Sequence, residues 1–119
     1  MFLTLSALRF YFCRRPADMR KSFDGLCALV SAMPDHDPLD GAAYIFTNKR
    51  RNRIKLLVWD GDGFWIFYKR LEKGTFQVSY DLQSAGALQW SYDQLVMILS
   101  GIDVGSVKRR IRYKRPQTQ

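Results

Sequence analysis

Two apolar runs, RIKLLVW and FWIFYKRL, flank Asp60-Gly61-Asp62-Gly63, and this arrangement constrains the fold more than any other feature of the chain. Asp-Gly is the residue pair that tight hairpin turns demand, because their central positions need a positive φ. A turn that sets Trp59 opposite Phe64 continues as Val58 with Trp65, Leu57 with Ile66, Leu56 with Phe67, Lys55 with Tyr68 and Arg53 with Arg70. One face of the ribbon then carries Ile54, Leu56, Val58, Trp65 and Phe67, the pattern of a buried core face. The other face starts apolar at the turn, with Leu57, Trp59, Phe64 and Ile66, and turns basic at its far end, with Arg53, Lys55, Arg70 and the phenol of Tyr68. A sheet apolar on both sides must be covered by helices, by the N-terminal strand or by a second copy of the chain, which makes a homodimer an expectation.

Around this ribbon the punctuation predicts an α+β fold. It comprises a small antiparallel β-meander of about four to five strands, packed with two main helices near 18–33 and 91–101. Leu8 to Cys13 alternate as a first strand. Met19, Phe23, Leu26, Cys27, Val30 and Met33 recur at helical spacing, with Asp18 placed to cap that helix and Pro34 to stop it. Gly25 inside it implies close packing or a tolerated weakness. AAYIFT, the two ribbon strands and FQVSYDL form the meander, joined by NKRRN, DGDG and EKGT. Ser91 and Gln94 fit a capping box ahead of the second helix. At 119 residues, 47% hydrophobic and 14% aromatic, the chain has material for one packed domain, placed at 1–107, followed by a basic, flexible tail at 108–119.

The charge points to a polyanionic partner. Nineteen Lys and Arg oppose eleven Asp and Glu, a net +8, which suits DNA, RNA or an anionic surface. Lys49, Arg50, Arg51, Arg53, Lys55 and Arg70 are expected to form one phosphate-binding patch beside Tyr68, which is available for stacking. Lys108, Arg109, Arg110, Arg112, Lys114 and Arg115 concentrate six cations in the tail. No apolar run approaches the roughly 18 to 20 residues of a membrane span, and the N-terminus lacks a secretory pattern, so the expectation is a cytoplasmic protein without membrane contact.

Candidate chemistry is sparse, and no catalytic residue, metal site or cofactor is expected. Asp60 and Asp62 lack the further oxygen ligands and closing Glu of a calcium loop. A two-metal nuclease site from Asp60, Asp62 and Glu72 would need three carboxylates that the hairpin register holds apart. Cys13 and Cys27 read as two buried thiols, and His36 as an exposed loop histidine.

The segments 16–26, 44–76 and 94–103, above all KLLVWDGDGF (Lys55 to Phe64) and YKRLEKGTF (Tyr68 to Phe76), preceded by Asp18-Met19-Arg20-Lys21, resemble the TnpB-type accessory protein of the insertion-sequence-66 family of bacterial transposons. Ser22 stands where that family usually has Gly, and residues 1–12 fit it poorly. The resemblance implies a small, non-enzymatic protein encoded beside a larger transposase that carries the acidic strand-transfer site. Arg20, Lys21, Lys55, Lys69 and Arg70 are its basic motif positions in this chain, and they join the binding candidates. The leading expectation is therefore a DNA-binding accessory factor in transposition, with DNA and the transposase as partners. The alternative is a protein-interaction subunit that docks the transposase without touching DNA, and a metal-dependent nuclease comes third.

Overall fold

The computed structural model describes residues 3–78, 86–101 and 112–116. Its strands are β1 (Phe10–Cys13), β2 (Ala43–Thr47), β3 (Arg53–Trp59), β4 (Phe64–Arg70) and β5 (Ala87–Trp90), and its helices are α1 (Phe23–Ser31) and α2 (Tyr92–Ser100). The hairpin forms in the expected register, with Trp59 opposite Phe64 and Arg53 opposite Arg70. Its turn closes when the Asp60 amide donates to the Gly63 carbonyl at 3.0 Å, with Gly61 at a φ of 106°. A side chain is rarely tolerated there.

The strand order is β4-β3-β2-β1-β5, with β1 parallel to β2 and every other neighbouring pair antiparallel. The fold is thus α+β with a mixed sheet, which corrects the purely antiparallel meander. Parallel neighbours need a long crossover, and the segment between β1 and β2 provides one that contains α1. β5, which the sequence reading missed, adds the fifth strand. The run FQVSYDL, expected as a strand, is not one over 76–78, and residues 79–82 lie outside the described residues. The Phe76 amide instead donates to the Arg51 carbonyl at 2.7 Å, and the ring is fully buried, so this segment plugs the core without joining the sheet.

The two helices cover opposite faces. Leu26 and Val30 of α1 pack with Cys13, Tyr44, Phe46 and Leu57, while Leu95 and Ile98 of α2 pack with Phe10, Phe12, Ile45, Leu56, Val58 and Phe76. The capping box of α2 is present: Ser91 Oγ accepts from the Gln94 amide at 3.1 Å, and the Ser91 amide donates to Gln94 Oε1 at 2.8 Å. Gly101 ends the helix at a φ of 82°. No helix among the described residues is long and apolar enough to cross a membrane.

Three expectations change. Helix α1 begins at Phe23, not Asp18, because the Asp18 carboxylate is engaged by the Arg20 amide in a tight turn. In addition, the carbonyls of Met19 and Lys21 are drawn to the Lys55 ammonium. Trp65 and Phe67 share a face with Leu56 and Val58 but are 50% and 37% exposed, since β4 is an edge strand beyond the core that α2 covers. His36 is half-buried, edge-on to Tyr11 at 4.7 Å between ring centroids. The Tyr44 hydroxyl donates to Asp40 at 2.7 Å, which leaves Nδ1 of His36 to donate to the Tyr44 oxygen at 3.3 Å.

Candidate nucleic-acid interface

On the α1 side of the sheet, two segments meet in a groove of about 680 Å³ lined by residues 17–20, Asn48, Lys49, Arg50, Asn52 and Arg53. One wall is tied to the end of β2 by the Ala17 amide, which donates to the Thr47 carbonyl at 2.8 Å. The other wall is the turn between β2 and β3, shaped by Asn48, whose Oδ1 accepts from the amides of Asn52 and Arg53, each at 3.0 Å. Asn48 Nδ2 also donates to Asn52 Oδ1 at 2.7 Å. Arg20, Lys49, Arg50 and Arg53 therefore converge from parts of the chain some thirty residues apart, with Asp18 as the carboxylate in the same lining. Arg53 also lines a neighbouring cavity of about 340 Å³ with Tyr68, Arg70 and Glu72, so the cationic surface continues along the end of the hairpin.

Two of these cations are paired with a carboxylate. Arg20 forms a two-pronged pair with Asp18, the shorter contact being 2.7 Å. The hydrogen bonds from the Arg20 side chain, and then from its backbone amide, hold the Asp18 carboxyl down at about 2. Arg70 pairs with Glu72 at 2.9 Å. Exposed pairs of this kind are weak, so an incoming phosphate can compete for either arginine. Lys49 and Arg50 stand exposed on the turn.

Lys55 is corrected from surface contact to buried tie. It is only 6% exposed, and its Nζ donates to the Met19 and Lys21 carbonyls at 2.9 and 2.8 Å. The ammonium thus holds the 18–21 turn against the sheet and sets the groove wall that carries Arg20. Lys21 is exposed but does not line the groove.

Other candidates are dispersed. Arg51, at a φ of 60°, sends its guanidinium toward the Val78 carbonyl at 3.5 Å. Lys69 projects from the opposite face of β4, where Nζ donates to the Leu99 carbonyl at 3.4 Å. Arg112 donates to the carbonyls of Thr75 and Ile98, each at 3.1 Å, and so joins the end of α2 to the segment after β4. Lys114 and Arg115 are exposed, and Lys108, Arg109 and Arg110 lie outside the described residues.

The carboxylates of the nuclease hypothesis are separated. Asp60 accepts from Trp65 Nε1 at 2.6 Å at the hairpin turn, while Glu72 binds Arg70 beyond the far end of β4. Among the described residues no three His, Cys, Asp or Glu gather where they could hold a metal. Burial pushes the Cys13 thiol up to about 12, which keeps it protonated and unreactive, and Cys27 is half-buried.

Sequence reasoning missed Asp18 as a partner of the groove, and it placed Phe67 in the core when that ring borders a second groove. On the α2 side, Phe67, Tyr92, Leu95, Val96 and Leu99 border an apolar groove of about 310 Å³ between β4 and α2. The alternation of β4 was the available signal, had an edge position been assumed.

Residues 8–109 match the family model described as IS66 Orf2 like protein. The chain is 35% identical over 109 residues to the uncharacterized protein y4jC of Sinorhizobium fredii (strain NBRC 101917 / NGR234), covering 92% of this chain and 91% of that one. It is 33% identical over 96 residues to the uncharacterized protein y4hO of the same strain, covering 81% of this chain and 82% of the relative. No solved structure matches it.

Proposed function

Since the chain belongs to the IS66 Orf2-like family, with a transposition-associated accessory role, we propose that it serves that role by binding DNA through the cationic groove between residues 17–20 and the β2–β3 turn. The observation that carries this reading is the convergence of Arg20, Lys49, Arg50 and Arg53 on one groove, continued by Arg70. Arginine forks and an exposed lysine, set on two tethered turns and a strand end, suit phosphate oxygens, which position a protein on DNA without reading sequence. The protein contributes no catalysis in this reading, and the chemistry of strand transfer resides in the transposase. The basic run at 108–115 adds a second set of contacts, without Arg112.

The test is a salt titration of duplex binding followed by fluorescence anisotropy. Reversing Arg50 and Arg53 to Glu is expected to remove two phosphate contacts and flatten the slope of log K against log salt by about 1.8. Unchanged affinity and slope would mean that the groove does not meet the phosphates.

A second reading is favoured by the half-exposed Trp65 and Phe67 and by the apolar groove beside α2. Aromatic side chains at a groove are the residues on which protein interfaces depend most. This face suits docking of the transposase, or of a second copy of the chain, and it lies on the other side of the sheet from the cations. The two readings are compatible: one protein can hold DNA on one face and its partner on the other.

A further inference from the structure

Tyr68 is placed unlike an ordinary edge-strand aromatic. It lies opposite Lys55 in the hairpin, on the face that carries the cationic groove, and is 48% exposed. The Arg53 guanidinium donates to its phenol oxygen at 3.0 Å, and the Lys55 ammonium lies 4.6 Å from the ring centroid. Lys55 is itself fixed by two backbone carbonyls, so the ring is supported from below and clamped at its tip. An aromatic surface held this way loses little rotamer freedom when a ligand covers it.

The cavity beside the ring is about 340 Å³ and is lined by Arg53, Tyr68, Arg70 and Glu72. That size lies at the low end of small-ligand sites. Its mixture of charges is selective. Glu72 would repel a phosphate, whereas it can accept from the exocyclic amino groups on the edges of adenine, cytosine and guanine. Arg53 belongs to this cavity and to the larger groove, so a strand whose phosphates follow the groove is led past the ring.

We propose that Tyr68 is a stacking platform for an unpaired nucleobase, so that the site takes DNA at a junction between duplex and single strand in preference to uninterrupted duplex. This rests on the DNA-binding reading above and deepens it by naming the DNA structure bound. A paired base hides both of its faces in the stack, whereas an unpaired one offers a face to an aromatic ring whatever its identity. The site therefore selects structure without selecting sequence.

The experiment compares the full chain on two labelled DNAs with equal numbers of phosphates, one a blunt duplex and one a duplex with a single-stranded overhang. The overhang carries 2-aminopurine at its first unpaired position. The overhang DNA is expected to bind about tenfold tighter, with a change in 2-aminopurine emission on binding. Tyr68→Leu, which keeps an apolar cover over the Lys55 stem but has no ring, is expected to erase both the preference and the emission change. It should leave blunt-duplex affinity within about twofold. Tyr68→Phe is expected to retain both, and circular dichroism verifies that each variant is folded. Equal binding of the two DNAs by the native chain, or an undiminished preference in Tyr68→Leu, overturns the stacking role. If blunt duplex still binds with its salt slope intact, only this inference falls; if neither DNA binds at any salt, the groove reading falls with it.

Discussion

The two faces of the sheet use the same strands differently. On the α1 face, alternate residues of β3 and β4 run from Leu57, Phe64 and Ile66, packed under the helix, to Arg53 and Arg70, with Lys55 as the buried tie between the two regions. On the α2 face the order is reversed in character: Ile54, Leu56 and Val58 are buried at the centre, and Trp65 and Phe67 spill past the helix onto the edge strand. Where the helix stops short, one face ends in cations and the other in aromatics. Each face thus carries its exposed chemistry where coverage runs out, and the alternation of a single hairpin separates a cationic surface from an apolar one.

The sharpest way to break this contrast is to truncate one aromatic on each face. Phe46 is fully enclosed on the α1 side, and Phe46→Ala is expected to cost about 3 to 5 kcal/mol in urea unfolding. Phe67, with more than a third of its surface in water, is expected to cost about 1 to 2 kcal/mol by the area it buries. Phe67→Ala is also expected to leave duplex affinity unchanged while weakening capture of the transposase from nuclease-treated lysate. Equal stability losses would show that Phe67 is covered in solution.

Lys55→Met tests the buried tie. The substitution keeps the stem but removes two charge-assisted hydrogen bonds, at 2.8 and 2.9 Å, and the contact with Tyr68. A loss of about 2 to 3 kcal/mol is expected, together with weaker DNA binding because the wall carrying Arg20 is no longer tethered. If stability is unchanged and only the salt slope flattens, by about 0.9, Lys55 reaches a phosphate directly and the tie is wrong.

What could be read in advance follows the same division between local and distant causes. The hairpin register was legible because the Asp-Gly turn and the flanking alternation both lie within one short segment, and the capping box of α2 was legible for the same reason. The start of α1 was not. Asp18 has the composition of a cap whether it crowns a helix or closes a turn on Arg20, and the choice is made by Lys55, more than thirty residues away. A lysine alternating with apolar residues reads as surface until its acceptors are known. β5 escaped because ALQW is four residues without clear alternation, and its antiparallel partner β1 lies at the other end of the chain, where no local pattern announces the pairing. Of the candidate site, the nearness of Lys49, Arg50, Arg53 and Arg70 was legible from the turn and the hairpin register. The dispersal of Arg51, Lys69 and Arg112 was not, because each is set by a carbonyl in a distant segment.

The smallest effect concerns the carboxylate inside the groove. The hydrogen bonds from Arg20 hold Asp18 at about 2, so the acid stays ionised and paired at any pH where DNA binding is measured. Because the folded value is lowered, whatever stability the pair adds is present above the ordinary value near 3.8 and is lost only as pH falls through about 2. The pair is exposed, so its main consequence is for charge. Asp18 offsets one of the four cations that line the groove. Asp18→Asn keeps a side-chain oxygen for the Arg20 amide while removing the negative charge. It is expected to tighten duplex binding a few-fold at low salt, to steepen the salt slope by at most about 0.9, and to leave the Phe67 face untouched. Weaker binding in Asp18→Asn would instead mean that the two-pronged pair aims Arg20 at its phosphate, making Asp18 a positioning residue of the interface.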